Sequence, residues 1–336
     1  MRINRAFAGV FCWAMMAGNG DMRTVRADAL PASAIPAGAR WVMHMDIDAV
    51  RGTPLWEMFH KKFVEPRTEE FAQRQRWIEA ATGTNMRKDL HDLTLFGTTF
   101  DENGACLLIH APMDQARVVN LLQANPEFKS ATYNGRAILS WRDNGKLLFG
   151  CFASTDLVVL GRSNTVVSAV LDTIDGKSPP LKNERLVPQA AASMEGGVKA
   201  LPLFWMAAMN VSDLPQAQKV DSPFLLQIET ASLAIAATHD RLTARLAVLA
   251  KSEKSAQQLM AAADGVKAMI GLAAADERAN PKVRTLGSTI QDLSFKMDGR
   301  DVIANWSVEL DKLDAMLDVV RLEARSATAP ATNVAR

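Results

Sequence analysis

A strand–turn–strand–helix unit that occurs twice constrains this chain more than any other feature of its sequence. Residues 93–122, LTLFGTTFDENGACLLIHAPMDQARVVNLL, place two apolar segments about the polar run Asp101-Glu102-Asn103-Gly104, and a helical pattern follows at once. From position 233 the arrangement repeats: residues 233–259 read LAIAATHDRLTARLAVLAKSEKSAQQL. Residues 105–114 lie over residues 244–253 without a gap, and Asn134-Gly135-Arg136 and Trp141 are echoed by Asp298-Gly299-Arg300 and Trp306. Period-two alternation of apolar side chains around a turn is a strand–hairpin signal. Two copies of it predict two related units.

The first unit reads as strand–helix–strand–strand–helix–strand with additions. That is the split βαβ, or ferredoxin-like, order. In the second, Pro215 and Pro223 interrupt the counterpart of the first long helix, which is missing or reduced. The expected fold is therefore α+β: two tandem ferredoxin-like units with antiparallel sheets and helices on one face. The first unit spans 41–181 and the second 201–325. They are joined by a linker at 182–200 that holds Pro188 and Gly196-Gly197. Residues 326–336, rich in Ala, Thr and Pro, read as a disordered tail. The first hairpin is apolar on both faces, so both should be covered: one by helices, the other by strands or the second unit.

The amino terminus reads as an export signal over residues 1–29. Arg2 and Arg5 precede the apolar run 6–17, which is too short to span a bilayer, and a Pro/Ala linker at 30–40 follows. These features predict a periplasmic or extracellular protein with no transmembrane segment in the mature chain. Export leaves Cys106 and Cys151, both inside expected strands; a disulfide and two buried thiols remain open readings. The full chain carries 38 Lys and Arg against 37 Asp and Glu, without a basic cluster, which argues against a nucleic-acid partner.

In the opening strand, Trp41, Met43, Met45 and Ile47 alternate with Val42, His44, Asp46 and Asp48. His44, Asp46 and Asp48 then share one strand face. An imidazole beside two carboxylates suits a divalent metal or acid–base chemistry, so these are the candidate metal residues. Neighbours on one flat strand project side by side rather than toward a point, and His91 and His110 are the nearby donors that would complete a site. Thr53-Pro54 is a helix start. No phosphate loop, nucleophile elbow, zinc-protease or dinucleotide fingerprint is present, and no cofactor is expected.

The run 41–56 (WVMHMDIDAVRGTPLW), with 89–97 (DLHDLTLFG) and 156–160 (DLVVL), resembles a group of uncharacterised bacterial secreted proteins. The resemblance implies a signal peptide and tandem α+β repeats, and brings no activity with it. The sequence thus points to an exported, non-enzymatic binding or structural protein of the bacterial envelope, its partner an unidentified protein or apolar ligand. Two other readings stand beside it: a hydrolase or metal-dependent enzyme on the His44/Asp46/Asp48 face, and a carrier of an apolar ligand between the repeats.

Overall fold

Twelve strands, each hydrogen-bonded antiparallel to its neighbours, form one sheet in a computed structural model that describes residues 32–65, 68–182, 202–214, 223–276, 278 and 281–316. The strands are β1 (Trp41–Asp46), β2 (Asp92–Gly97), β3 (Ala105–His110), β4 (Lys129–Tyr133), β5 (Arg136–Asp143), β6 (Lys146–Phe152), β7 (Leu157–Gly161), β8 (Phe204–Met209), β9 (Ile228–Ala237), β10 (Arg241–Ala250), β11 (Ser294–Asp298) and β12 (Asp301–Glu309). The helices are α1 (Ile47–Arg51), α2 (Pro54–Phe59), α3 (Thr68–Thr82), α4 (Gln115–Gln123), α5 (Asn164–Ile174), α6 (Glu253–Ala275) and α7 (Pro281–Ile290). The signal segment, the 326–336 tail and nearly all of the 182–200 linker lie outside the described residues.

Local chemistry explains the hairpins. Asn134-Gly135 and Asn144-Gly145 both take positive φ, the type I′ geometry whose twist matches that of the flanking strands. Asp101 closes the β2–β3 connection by accepting from the Asn103 and Gly104 amides, so this polar run is the expected turn. Thr53 caps α2 with Pro54 at its first position, also as expected.

The sheet order is β11-β12-β10-β9-β8-β1-β2-β3-β7-β6-β5-β4. Counted outward from the β1–β8 seam, each half begins with three strands in chain order, β1-β2-β3 and β8-β9-β10. The mixed α+β class with a large antiparallel sheet is thus as read. Its finer layout is not split βαβ, for β1 and β2 pair directly and antiparallel, Trp41 opposite Gly97 through Asp46 opposite Asp92. A split βαβ unit would run them parallel with a third strand between. Nor are there separate sheets: Val42 stands opposite Ala207 across the seam, joining the halves. Trp141 and Trp306 also occupy different places. β12 lies directly beside β10, whereas β5 is separated from β3 by β7 and β6.

Helices cover both faces, not one. On the first face Val42, Phe96, Cys106, Leu108, Cys151 and Val159 pack beneath Val166, Val167, Val170 and Leu171 of α5. Burying each such aliphatic side chain contributes about 1.5–3 kcal/mol. Ala34, Ile35 and Ala39 join this layer, so part of the 30–40 stretch read as a linker is core. On the second face Met45, Leu93, Leu107 and Ile109 pack beneath Ile47, Val50 and Trp56 of the short α1–α2 pair. A hairpin apolar on both sides requires this double cover.

Candidate functional site

The three candidate metal residues do not converge. β1 ends at Asp46 because its carboxylate caps α1, accepting from the Ala49 amide at 2.8 Å. Burial raises the Asp46 pKa and the helix amide opposes that shift. Asp48 therefore lies in the first turn of α1 and not on the strand face. It pairs with Arg51 at 2.7 Å and with His91 Nδ1 at 2.8 Å, while Arg51 also donates to the Met86 and Leu90 carbonyls. His44 is buried; its Nδ1 lies 2.8 Å from Thr94 Oγ1 and its ring centroid 5.9 Å from that of Trp205. Desolvation lowers its pKa to about 4, so the ring is neutral near pH 7. Among the described residues no group of three or more His, Cys, Asp or Glu side chains is placed to hold a metal ion.

A different polar row forms instead. Register sets Asp46 opposite Asp92 and Asp92 opposite His110, three titratable groups side by side on adjacent strands. His110 bonds Asp92 through Nδ1 at 2.9 Å and Asp156 through Nε2 at 3.2 Å. The rings of His91 and His110 stand 5.3 Å apart. Sequence reasoning singled out both histidines but not Asp92 or Asp156. The Asp92–His110 pairing was not legible: a turn confined to 101–104 would set Asp92 opposite Met113, whereas Gly97 pairs with Ala105 and the connection takes up residues 98–104.

Cys106 and Cys151 are buried free thiols on β3 and β6. β7 runs between those strands, so two strand spacings, about 9.5 Å, already exceed the Cα separation a disulfide spans. Burial pushes the Cys151 thiol to about 11 and the Cys106 thiol higher still.

An apolar band is partly accessible among the described residues. One rung of the second sheet face runs Leu95–Met43–Met206–Leu233–Leu246–Ala304–Phe295 through six successive strand pairs. The next rung adds Phe204, Ile235, Ala244 and Trp306. Met43, Met206, Leu233 and Phe295 are only partly buried, and Leu246 is 41% exposed. Helices border this band along the strands: Leu259 and Met260 of α6 near Val248 and Val302, and Leu55 and Met58 near Leu242 and Val308. The margin at Trp306 is fixed by its indole N–H, which donates to the Thr289 carbonyl at the end of α7. The same strands on the other face carry Trp205, Ala234, Arg245 and Asn305. Both halves of the sheet contribute, since β1 and β2 lie on one side of the seam and β8 to β12 on the other.

No described helix is long and apolar enough to cross a membrane. No protein family matches the chain, and no curated protein does. Solved structures of TP0453 align with it at 10% identity. Crystal form III covers 87% of this chain and 99% of its own with a TM-score of 0.47, and crystal form IV covers 87% and 97% with 0.44.

Proposed function

We propose that this is an exported, non-catalytic binding protein of the bacterial envelope that takes an apolar ligand on the sheet surface at the seam between its halves. The observation that carries the reading is the half-open rung from Leu95 to Phe295, centred on Met43, Met206, Leu233 and Leu246. Thioether and leucine side chains on a flat floor adapt to varied apolar shapes. Seven strands at their normal spacing make the floor about 28 Å long, which favours an extended molecule over a compact one. The two halves are proposed as related units, on the strength of the matching hairpins and the order of strands outward from the seam.

Export rests on Arg2, Arg5 and the apolar run 6–17. It agrees with the resemblance to bacterial secreted proteins that carry a signal peptide. N-terminal sequencing of protein from the source envelope should begin between Asn19 and Leu30; a chain starting at Met1 in the cytosol defeats this part of the reading. For the ligand, native mass spectrometry of protein purified from its source should reveal a bound apolar molecule. Met206→Glu and Leu233→Glu should release it while circular dichroism stays unchanged. A ligand-free wild type that also fails to bind a fluorescent apolar probe would refute the carrier.

A second reading, a protein partner, is favoured by α6. Val266, Met269 and Leu272 form one stripe at three-residue spacing and are 57%, 72% and 78% exposed. Contiguous exposed apolar surface of this kind marks interaction sites. Loss of a co-purifying protein on Met269→Lys, with apolar ligand retained, would assign the stripe to the partner.

A further inference from the structure

His110 has a carboxylate on each ring nitrogen, Asp92 on one side and Asp156 on the other. A neutral imidazole carries a single N–H, so only the imidazolium donates to both. Asp156 in turn fixes the turn before β7: Ser154 Oγ donates to its other carboxylate oxygen at 2.5 Å, and its backbone carbonyl accepts from the Ala111 amide at 2.8 Å. The His110–Asp156 bond therefore ties that turn to the end of β3, while the Asp92 bond ties His110 to β2.

We propose that His110 is a proton-operated latch. Its imidazolium holds the 154–156 turn against the ends of β2 and β3, and loss of one proton frees Asp156 and loosens the turn. Asp156 is the partner released because its side chain is 52% exposed and water replaces the lost donor; the Asp92 side chain is only 14% exposed and keeps the remaining N–H.

The neighbouring charges are Asp46, Asp48 and Arg51 from β1 and α1, His91 and Asp92 at the start of β2, and Asp156 before β7. Arg51 and Asp48 largely neutralise each other at 2.7 Å. His91 bonds Asp48, and its ring centroid lies 5.3 Å from that of His110. Burial disfavours the imidazolium, but the hydrogen bonds and charges of Asp92 and Asp156 outweigh it and hold His110 above the ordinary imidazole value. Hydrogen bonds from Ser154 and His110 keep Asp156 below the usual carboxylate range, so it is an anion when the latch is shut. With His110 raised, the latch is closed below the folded value and opens as pH rises through it.

The test is an NMR titration of the histidine rings in the full chain, with amide hydrogen exchange at matched pH values. His110 should titrate above about 6.5. Asp156→Asn, a substitution at a half-exposed site that leaves the core untouched, should lower that midpoint. Exchange at Ala111 and through 153–157 should accelerate across the midpoint beyond its intrinsic base-catalysed rise, and should be fast at all pH values in Asp156→Asn. A His110→Gln chain should lack the pH-dependent step. A His110 midpoint at or below 6.5, a midpoint unmoved by Asp156→Asn, or exchange that follows only the intrinsic rise would each overturn the latch.

Discussion

At the scale of single residues, burial decides chemistry that residue type leaves open. His44 reads from sequence as a candidate ligand, yet its ring is 5% exposed and packed between Thr94 and Trp205. Its folded pKa of about 4 lies below the unfolded value. The unfolded chain therefore binds the extra proton between about pH 6.5 and 4, and this group's stabilising contribution falls as pH drops through that window. The full swing is about 3 kcal/mol. His44→Ala should cost about 2–4 kcal/mol at pH 7, from the cavity and the stranded Thr94 hydroxyl. It should also shrink the loss of urea resistance between pH 7 and pH 5; an unchanged loss would place the titrating group elsewhere. Gly97 is fixed by a different constraint. A β-carbon there would sit 2.4 Å from the Trp41 indole, whose N–H donates to the Thr99 carbonyl. Gly97→Ala should lower stability by about 1–3 kcal/mol and alter Trp41 fluorescence. Both thiols should resist a disulfide-exchange reagent in the native state and react fully in denaturant, given their depth and raised pKa values.

Among the elements, α5 and α6 differ in what their apolar residues do. α5 is capped by Ser163, which accepts from the Val166 amide, and buries Val166, Val167, Val170 and Leu171 on the sheet. Leu171→Ala should destabilise by about 2–5 kcal/mol. α6 is capped in the same way by Ser252, yet among its described residues only Ala256 is fully buried. Its packing partner is α7, approached so closely that a β-carbon on Gly287 would meet the Ala274 β-carbon. Met269→Ala should therefore change stability by less than about 0.5 kcal/mol, measured by urea denaturation beside Leu171→Ala. A comparable cost for the two would show that α6 is buried against something in solution.

For the whole molecule the decisive contact is the seam. β1 and β8 pair over five residues, Trp41 opposite Ala208 through Met45 opposite Phe204, and turn two halves into one sheet. Val42, Trp205 and Ala207 belong to the same buried layer on both sides of it. The halves should consequently unfold together, with tryptophan fluorescence and far-ultraviolet circular dichroism giving coincident urea transitions. Ala207→Glu, a charge placed at a position 2% exposed, should lower the midpoint of both signals equally. Two separated transitions would mean that each half holds its own fold and the seam is incidental.

The sequence by itself determined the hairpins, the helix starts and the α+β class, because turns, caps and alternation act between neighbours. Asp101 closes its turn, Thr53 and Ser163 cap their helices, and residues 105–110 and 241–250 are strands as their patterns require. The strand at 41–48 was read two residues too long, since alternation continues through Asp48 while Asp46 stops the strand by capping α1. Only the tertiary structure decided which strands meet. Nothing in the alternation of Phe204–Met209 distinguishes an edge of a second sheet from a neighbour of β1, and the difference turns two ferredoxin-like units into one sheet. The same holds for the functional surfaces. The Leu95–Phe295 rung and the Asp92–His110–Asp156 row draw on residues far apart in the chain, and their convergence follows from long-range register, which local patterning does not encode.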